Sequence, residues 1–372
     1  MNWKRRFLNM SAPGYDNSAG RTPPPGFSGI LGQETAKKFL KQVMANRKVP
    51  HAYLFTGIPG IGKTSTAMAF AMALNCREPV EFDACGKCIS CRQFGRNNFP
   101  DFLSVVPKGR NIGIDRIKEI NRELGFAPVS GGYRVCVIHQ AETMTPESAN
   151  AFLKTLEEPP DGNILILKTT ESADLLPTIV SRCQKVPFQP LPASEIETWL
   201  IRNRGIGPDV ARLLSRICSG SPGRAIRMYE SGFLEKRKAW LERLIRLPGL
   251  SKLEALDTAL ACAEEDRKNG IDQVVSGQPG MLDMLAVWAN WYRDLLLLKA
   301  GGTKDRLVNI DFFDHLTEIS AGYNIDSIIA GITALNQAQL DIRRSRNVNL
   351  VMIHTVLGLN RASKTSGHTE DE

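Results

Sequence analysis

The sequence predicts an α/β fold: a phosphate-binding domain on a parallel sheet, then a small helical domain and a larger all-helical one. Three observations carry this. Gly57-Ile58-Pro59-Gly60-Ile61-Gly62-Lys63-Thr64 reads G-x-x-x-x-G-K-T, follows the apolar run Ala52-Tyr53-Leu54-Phe55 and precedes a helix-forming run over 64–74. Further short apolar runs at 101–106, 133–138 and 163–168 are separated by stretches of helical periodicity. From 193 onward apolar residues recur three and four apart almost to the end.

Composition narrows the classes. At 372 residues the chain can hold two or three domains around large cores. Its 42% hydrophobic and 23% charged residues are those of an ordinary globular protein. A net charge of +8 permits a surface that meets nucleic acid but is too diffuse to make a plain DNA-binding protein. No apolar run approaches the roughly 18 residues of a membrane span, and the N-terminus has no signal-peptide core. Eight cysteines without a secretion signal imply reduced thiols or a metal, so a cytoplasmic protein is expected.

In chain order, 1–26 is read as flexible, since Lys4, Arg5, Arg6 and Pro23-Pro24-Pro25 stand among residues that cannot bury a core. A helix over 35–46 follows, with Ala36, Phe39, Leu40 and Val43 on one face. His51 is read as a packed or capping residue. In the phosphate loop, Gly57, Gly60 and Gly62 reach backbone angles closed to other residues and leave room for phosphate oxygens. Lys63 would reach the β- and γ-phosphates of ATP or ADP, and the Thr64 hydroxyl would hold Mg²⁺.

Cys76, Cys85, Cys88 and Cys91 follow the spacing C-x8-C-x2-C-x2-C. Thiolates two residues apart can converge on one ion, and four of them fill every position of tetrahedral Zn²⁺, which makes the metal structural. Lys87 and Arg92 would offset the thiolate charge. Cys136, Cys183, Cys218 and Cys262 are scattered and read as small buried side chains.

The run at 133–138 is expected to be a central strand. A phosphate-loop ATPase ends this strand with an aspartate for Mg²⁺ and, in many families, a glutamate that polarises the attacking water. Here those positions hold His139 and Gln140, and neither offers the anionic oxygen a hard cation prefers. Glu142 comes two residues late. Hydrolysis by this chain alone is therefore not expected. Thr169 and Thr170, at the tip of the next strand, either touch a γ-phosphate or cap a turn.

The residues from Gly29-Ile30-Leu31-Gly32-Gln33, through the phosphate loop, the four cysteines, the helix from Ala149 to Pro160 and Ser181-Arg182-Cys183, carry a resemblance. Together they resemble the bacterial clamp-loader branch of the AAA+ ATPases, the family of delta-prime and gamma/tau subunits of DNA polymerase III. The departure at His139 and Gln140 is that of the non-hydrolysing, delta-prime type; a catalytically active gamma/tau-type ATPase is the alternative. The intact phosphate loop departs from that type, in which it is often degraded.

The resemblance implies that Arg182 is an arginine finger acting in trans, on ATP held by a neighbouring gamma or tau subunit. It implies that Thr170 is a sensor at the strand tip, and that Arg224, in Gly220-Ser221-Pro222-Gly223-Arg224-Ala225, belongs to a second sensor displaced by one residue. It further implies a hetero-pentamer with gamma/tau and delta subunits that places a sliding clamp on primed DNA. The expected domains are an AAA+ domain over 27–192 with a zinc module at 76–91, a helical lid over 193–232, a helical collar over 233–362 and a disordered tail over 363–372.

Overall fold

In the computed structural model the described residues are 26–364 without 108, 110, 270–278 and 345. They form two compact units. The first ends at Pro192 and includes Gly220–Gly223; the second is made of Ala193–Ser219 and the residues from Arg224 on. The segment 1–25 and residues 365–372 lie outside the described residues.

The first unit is built on five strands: β1 (Ala52–Thr56), β2 (Phe102–Val105), β3 (Arg134–Ile138), β4 (Asn163–Thr169) and β5 (Gln184–Pro187). All neighbours run parallel, in the order β2-β3-β4-β1-β5. The central strands read as unbroken apolar runs because both faces are covered by helices. Tyr53, Phe55, Val135, Val137, Ile164 and Ile166 face one layer, which includes α2 (Lys63–Leu74). Leu54, Cys136, Ile138, Leu165 and Leu167 face the other, formed by α4 (Ile114–Leu124) and α5 (Pro146–Glu157). Helix α1 (Glu34–Ala45) and the shorter α3 (Ile89–Gly95) and α6 (Pro177–Val180) also belong to the unit.

The sequence reading missed β5. Only Val186 of its four residues is buried, so it lacks an apolar run, and its proline is tolerated at a sheet edge.

At the N-terminal ends of β2 and β3 a buried ion pair fastens the sheet. Asp101 is fully buried and accepts from Val129 N at 2.9 Å, Ser130 N at 2.7 Å and Arg134 Nη2 at 3.1 Å. The Arg134 guanidinium also donates to the carbonyls of Glu123, Phe126 and Ala127. Removing one partner leaves the other charge buried and unpaired, so Asp101→Ala is expected to cost about 3–5 kcal/mol of stability, read from urea unfolding. A loss below about 1 kcal/mol would show that the pair does not hold the sheet.

The second unit is helical: α7 (Ala193–Arg204), α8 (Pro208–Ile217), α9 (Pro222–Glu230, whose first two residues count with the first unit), α10 (Phe233–Arg246), α11 (Lys252–Asn269), α12 (Met281–Lys299), α13 (Phe313–Ala321), α14 (Ile325–Arg343) and α15 (Val348–Lys364). Trp240, Trp288, Trp291, Leu295, Leu335 and Val356 are buried in it, and the Trp288 indole donates to the Trp240 carbonyl at 2.9 Å. Helix α15 reaches Lys364, two residues into the stretch read as a tail, because nothing before Lys364 breaks its helical pattern. None of the described helices is long and apolar enough to cross a membrane.

Candidate functional site

The phosphate loop leaves the C-terminal end of β1 and enters α2 at Lys63, where free N–H groups face the loop. Gly62, with φ of 111°, caps the helix in a conformation closed to L-residues. At Gly57 a Cβ would stand 2.7 Å from the Phe188 carbonyl, so this first glycine is required by packing as well as by its φ of 139°. The Gly57 N–H donates to the Thr170 carbonyl at 2.9 Å, tying the loop to the tip of β4. Gly223 N donates to the Gly60 carbonyl at 3.0 Å and Ser221 Oγ to the Pro59 carbonyl at 2.8 Å, so Gly220–Gly223 lies along the loop. Lys63 is buried and its Nζ donates to the carbonyls of Gly57 and, at 3.1 Å, Ile58.

Strand alternation sets the rest of the site. Ser104 on β2, His139 just past β3 and Lys168 on β4 continue the face that packs against α2, so their side chains meet where α2 begins. Ser104 Oγ lies 3.0 Å from His139 Nε2, His139 Nδ1 lies 2.9 Å from Lys168 Nζ, and the Lys168 ammonium donates to Thr64 Oγ1. Burial and the Lys168 charge hold His139 down at about 3, so its ring is neutral. A protonated Lys168 only donates, so with it Nδ1 accepts and Nε2 carries the proton that goes to Ser104. Burial and the nearby Lys63 bring Lys168 down to about 7 against the opposing pull of Glu142. Burial likewise lowers Lys63 to about 8, again opposed by Glu142. Glu142 Oε2 is buried with no hydrogen-bond partner among the described residues.

These residues do not fit Mg²⁺. The Thr64 oxygen and the strand-tip position that would hold it are already bridged by one ammonium, and His139 supplies no anionic oxygen. A divalent ion there would have to displace the Lys168 ammonium or its proton. Lys168 was passed over in the sequence because it falls within an apolar strand. A lone lysine in a fully buried run was the signal that could have found it.

Thr169 Oγ1 donates to the Glu171 carbonyl at 3.1 Å and so caps the turn, one of its two expected roles. Thr170 is half-buried beside it. His51 Nε2 lies at hydrogen-bond distance, 2.9 Å, from the Leu156 carbonyl in the last turn of α5, a capping contact and one of its two expected roles. Arg182 follows α6, and its guanidinium is shared between Glu157, with Nε at 2.9 Å from Oε1, and the Thr178 carbonyl at 2.9 Å. Arg224 belongs to the second unit and lies 3.8 Å from Asp283 at the start of α12.

The four cysteines converge. Their sulfurs all lie within 4.8 Å of one another, with Cys76–Cys91 at 3.8 Å, Cys76–Cys88 at 3.9 Å and Cys85–Cys91 at 4.0 Å. A tetrahedral ion with metal–sulfur bonds of about 2.3 Å spaces its ligands about 3.8 Å apart, so the cluster can hold a metal. Cys85 N and Cys88 N donate to the sulfurs of Cys76 and Cys85 at 3.3 Å each, support that suits thiolates. Lys87, expected to balance their charge, is exposed and paired with Glu78 at 3.9 Å. Cys136, Cys183, Cys218 and Cys262 are buried, as expected.

The sheet order and the loop at the tip of β1 define a phosphate-loop α/β domain on a parallel sheet. Residues 32–192, less than half of the chain, match the model of the family described as DNA polymerase III, delta subunit. A delta' subunit of DNA polymerase III from Bacillus subtilis is 29% identical over 327 residues, 88% of this chain and 96% of that one. The Escherichia coli delta' subunit is 33% identical over 196 residues, 52% of this chain and 59% of that one. The tau subunit of Bacillus subtilis is 37% identical over 173 residues, 46% of this chain; the match spans only 31% of that longer protein.

Proposed function

We propose that this chain is a delta-prime-type subunit of a DNA polymerase III clamp loader, which assists its neighbours' ATPase cycle without hydrolysing ATP itself. It would work in a hetero-pentamer with gamma/tau and delta subunits in the cytoplasm, and help place a sliding clamp on primed DNA. The observation that carries the reading is the bridge of Lys168 between His139 and Thr64 in an otherwise intact phosphate cradle. Gly57, Gly60, Gly62, Lys63 and Thr64 would hold ATP or ADP, with Thr170 at the strand tip. Residues 193–232 would act as a lid carrying Arg224, and 233–362 as a collar.

Arg182 would act in trans. Its pairing with Glu157 leaves it about a third exposed, and such pairs are worth only about 0–1 kcal/mol, so the guanidinium can be transferred to a phosphate at little cost. Cys76, Cys85, Cys88 and Cys91 would hold a structural Zn²⁺ with no open position for substrate.

A gamma/tau-type ATPase is the second reading, and the unpartnered Glu142 oxygen favours it as a rebuilt cation ligand. ATP turnover by the purified chain separates the two. The expected result is no phosphate release above background at any magnesium concentration; magnesium-dependent release would replace the first reading with the second.

A further inference from the structure

We propose that the phosphate cradle takes a nucleoside triphosphate without a divalent cation, with the ammonium of Lys168 in the place of the metal. The inference rests on the nucleotide-binding reading above and concerns what accompanies the nucleotide.

In a magnesium-dependent site the threonine after the loop lysine gives an oxygen lone pair to the cation, and an acidic strand-tip residue holds it from the other side. Here the Thr64 lone pair accepts from Lys168, and the strand-tip residue His139 turns its Nδ1 lone pair to the same nitrogen at 2.9 Å. One ammonium thus makes both protein contacts of the missing ion. Its position is fixed. Lys168 lies on β4 between β1 and β3, in register with Phe55, and is buried. His139 is in turn held by Ser104 Oγ at 3.0 Å. The chain of contacts therefore crosses the tips of β2, β3 and β4 to the start of α2.

An ammonium has three donors, and two are engaged by Thr64 and His139, which leaves one for a phosphate oxygen. Lys63 now spends its donors on the loop carbonyls of Gly57 and Ile58 and would exchange them for phosphate oxygens. The negative charge of a bound triphosphate raises both lysines, so that two ammonium groups face it, while Glu142, close enough to act on both, disfavours excess negative charge. Such a site would hold the ligand with an ammonium in place of a Lewis acid and without a strand-tip carboxylate to position the attacking water. It is a holding site for the ligand.

The test is calorimetric titration of the full chain with ATP, in EDTA and in excess Mg²⁺. Binding in EDTA is expected to be at least as tight as in Mg²⁺. Lys168→Met, which keeps the volume, is expected to weaken ATP binding in EDTA by about tenfold or more, the loss of a charge-assisted hydrogen bond. Lys168→Met combined with His139→Asp removes the ammonium and returns a carboxylate, so its ATP binding should become tighter in Mg²⁺ than in EDTA. Parent-chain binding that requires Mg²⁺ would overturn this inference and leave the nucleotide reading standing. No ATP binding in either buffer would overturn both. Unchanged affinity of Lys168→Met in EDTA would also overturn the inference, and if that variant does not fold, the comparison on the parent chain decides.

Discussion

Arg182→Ala is expected to lower ATP turnover at the neighbouring subunit's site by about 10³-fold or more in an assembled clamp loader, with assembly unaffected. The size follows from the reaction. Charge develops on the transferring phosphoryl oxygens, and a planar guanidinium offers paired donors that a lysine or water cannot reproduce. Local geometry agrees with such a role. The short helix α6 delivers Arg182 to the surface, and its present partners are an exposed carboxylate, one carbonyl and the Ser181 hydroxyl, all cheap to leave. The measurement is single-site turnover in a complex whose other sites are silenced, beside size-exclusion chromatography for assembly. Turnover at that site equal to the parent's would end the arginine-finger assignment.

Cys88→Ser is expected to remove a stoichiometric zinc ion and loosen the loop 76–91, read by metal analysis and limited proteolysis. Structural zinc sites in finger peptides bind with apparent free energies of about 10–16 kcal/mol, so losing one thiolate of four is a large perturbation. Its reach is traceable. Cys91 is buried beside Phe94, whose ring stacks on Phe99 at 4.2 Å. Asp83, within the same loop, accepts from Phe27 N at 2.9 Å and Ser28 N at 3.1 Å, so the start of the domain is fastened to the module. New cleavage should therefore appear at both 76–91 and the residues around 27, while the sheet stays folded. A parent chain that purifies without any bound metal would remove the site from the account.

What could be read from the sequence was what depends on local spacing. The phosphate loop and the four cysteines each fall within 16 residues or fewer, and their residue types state their chemistry without knowledge of the fold. The central strands were legible because burial on both faces makes them continuously apolar. Lys168 was not, because its meaning depends on β4 lying between β3 and β1, which brings it to a threonine 104 residues away. The same is true of Asp101 and Arg134, 33 residues apart in sequence and joined only once the strands pair. His139 and Gln140 marked where the acid is missing, but not what fills the gap it leaves.

The Asp101–Arg134 pair sits where β2 and β3 begin, and the Ser104–His139–Lys168 chain where they end. Rigidity and chemistry are thus assigned to opposite margins of one sheet. Side chains at the chemical margin can therefore be exchanged without touching the contacts that fasten the opposite one.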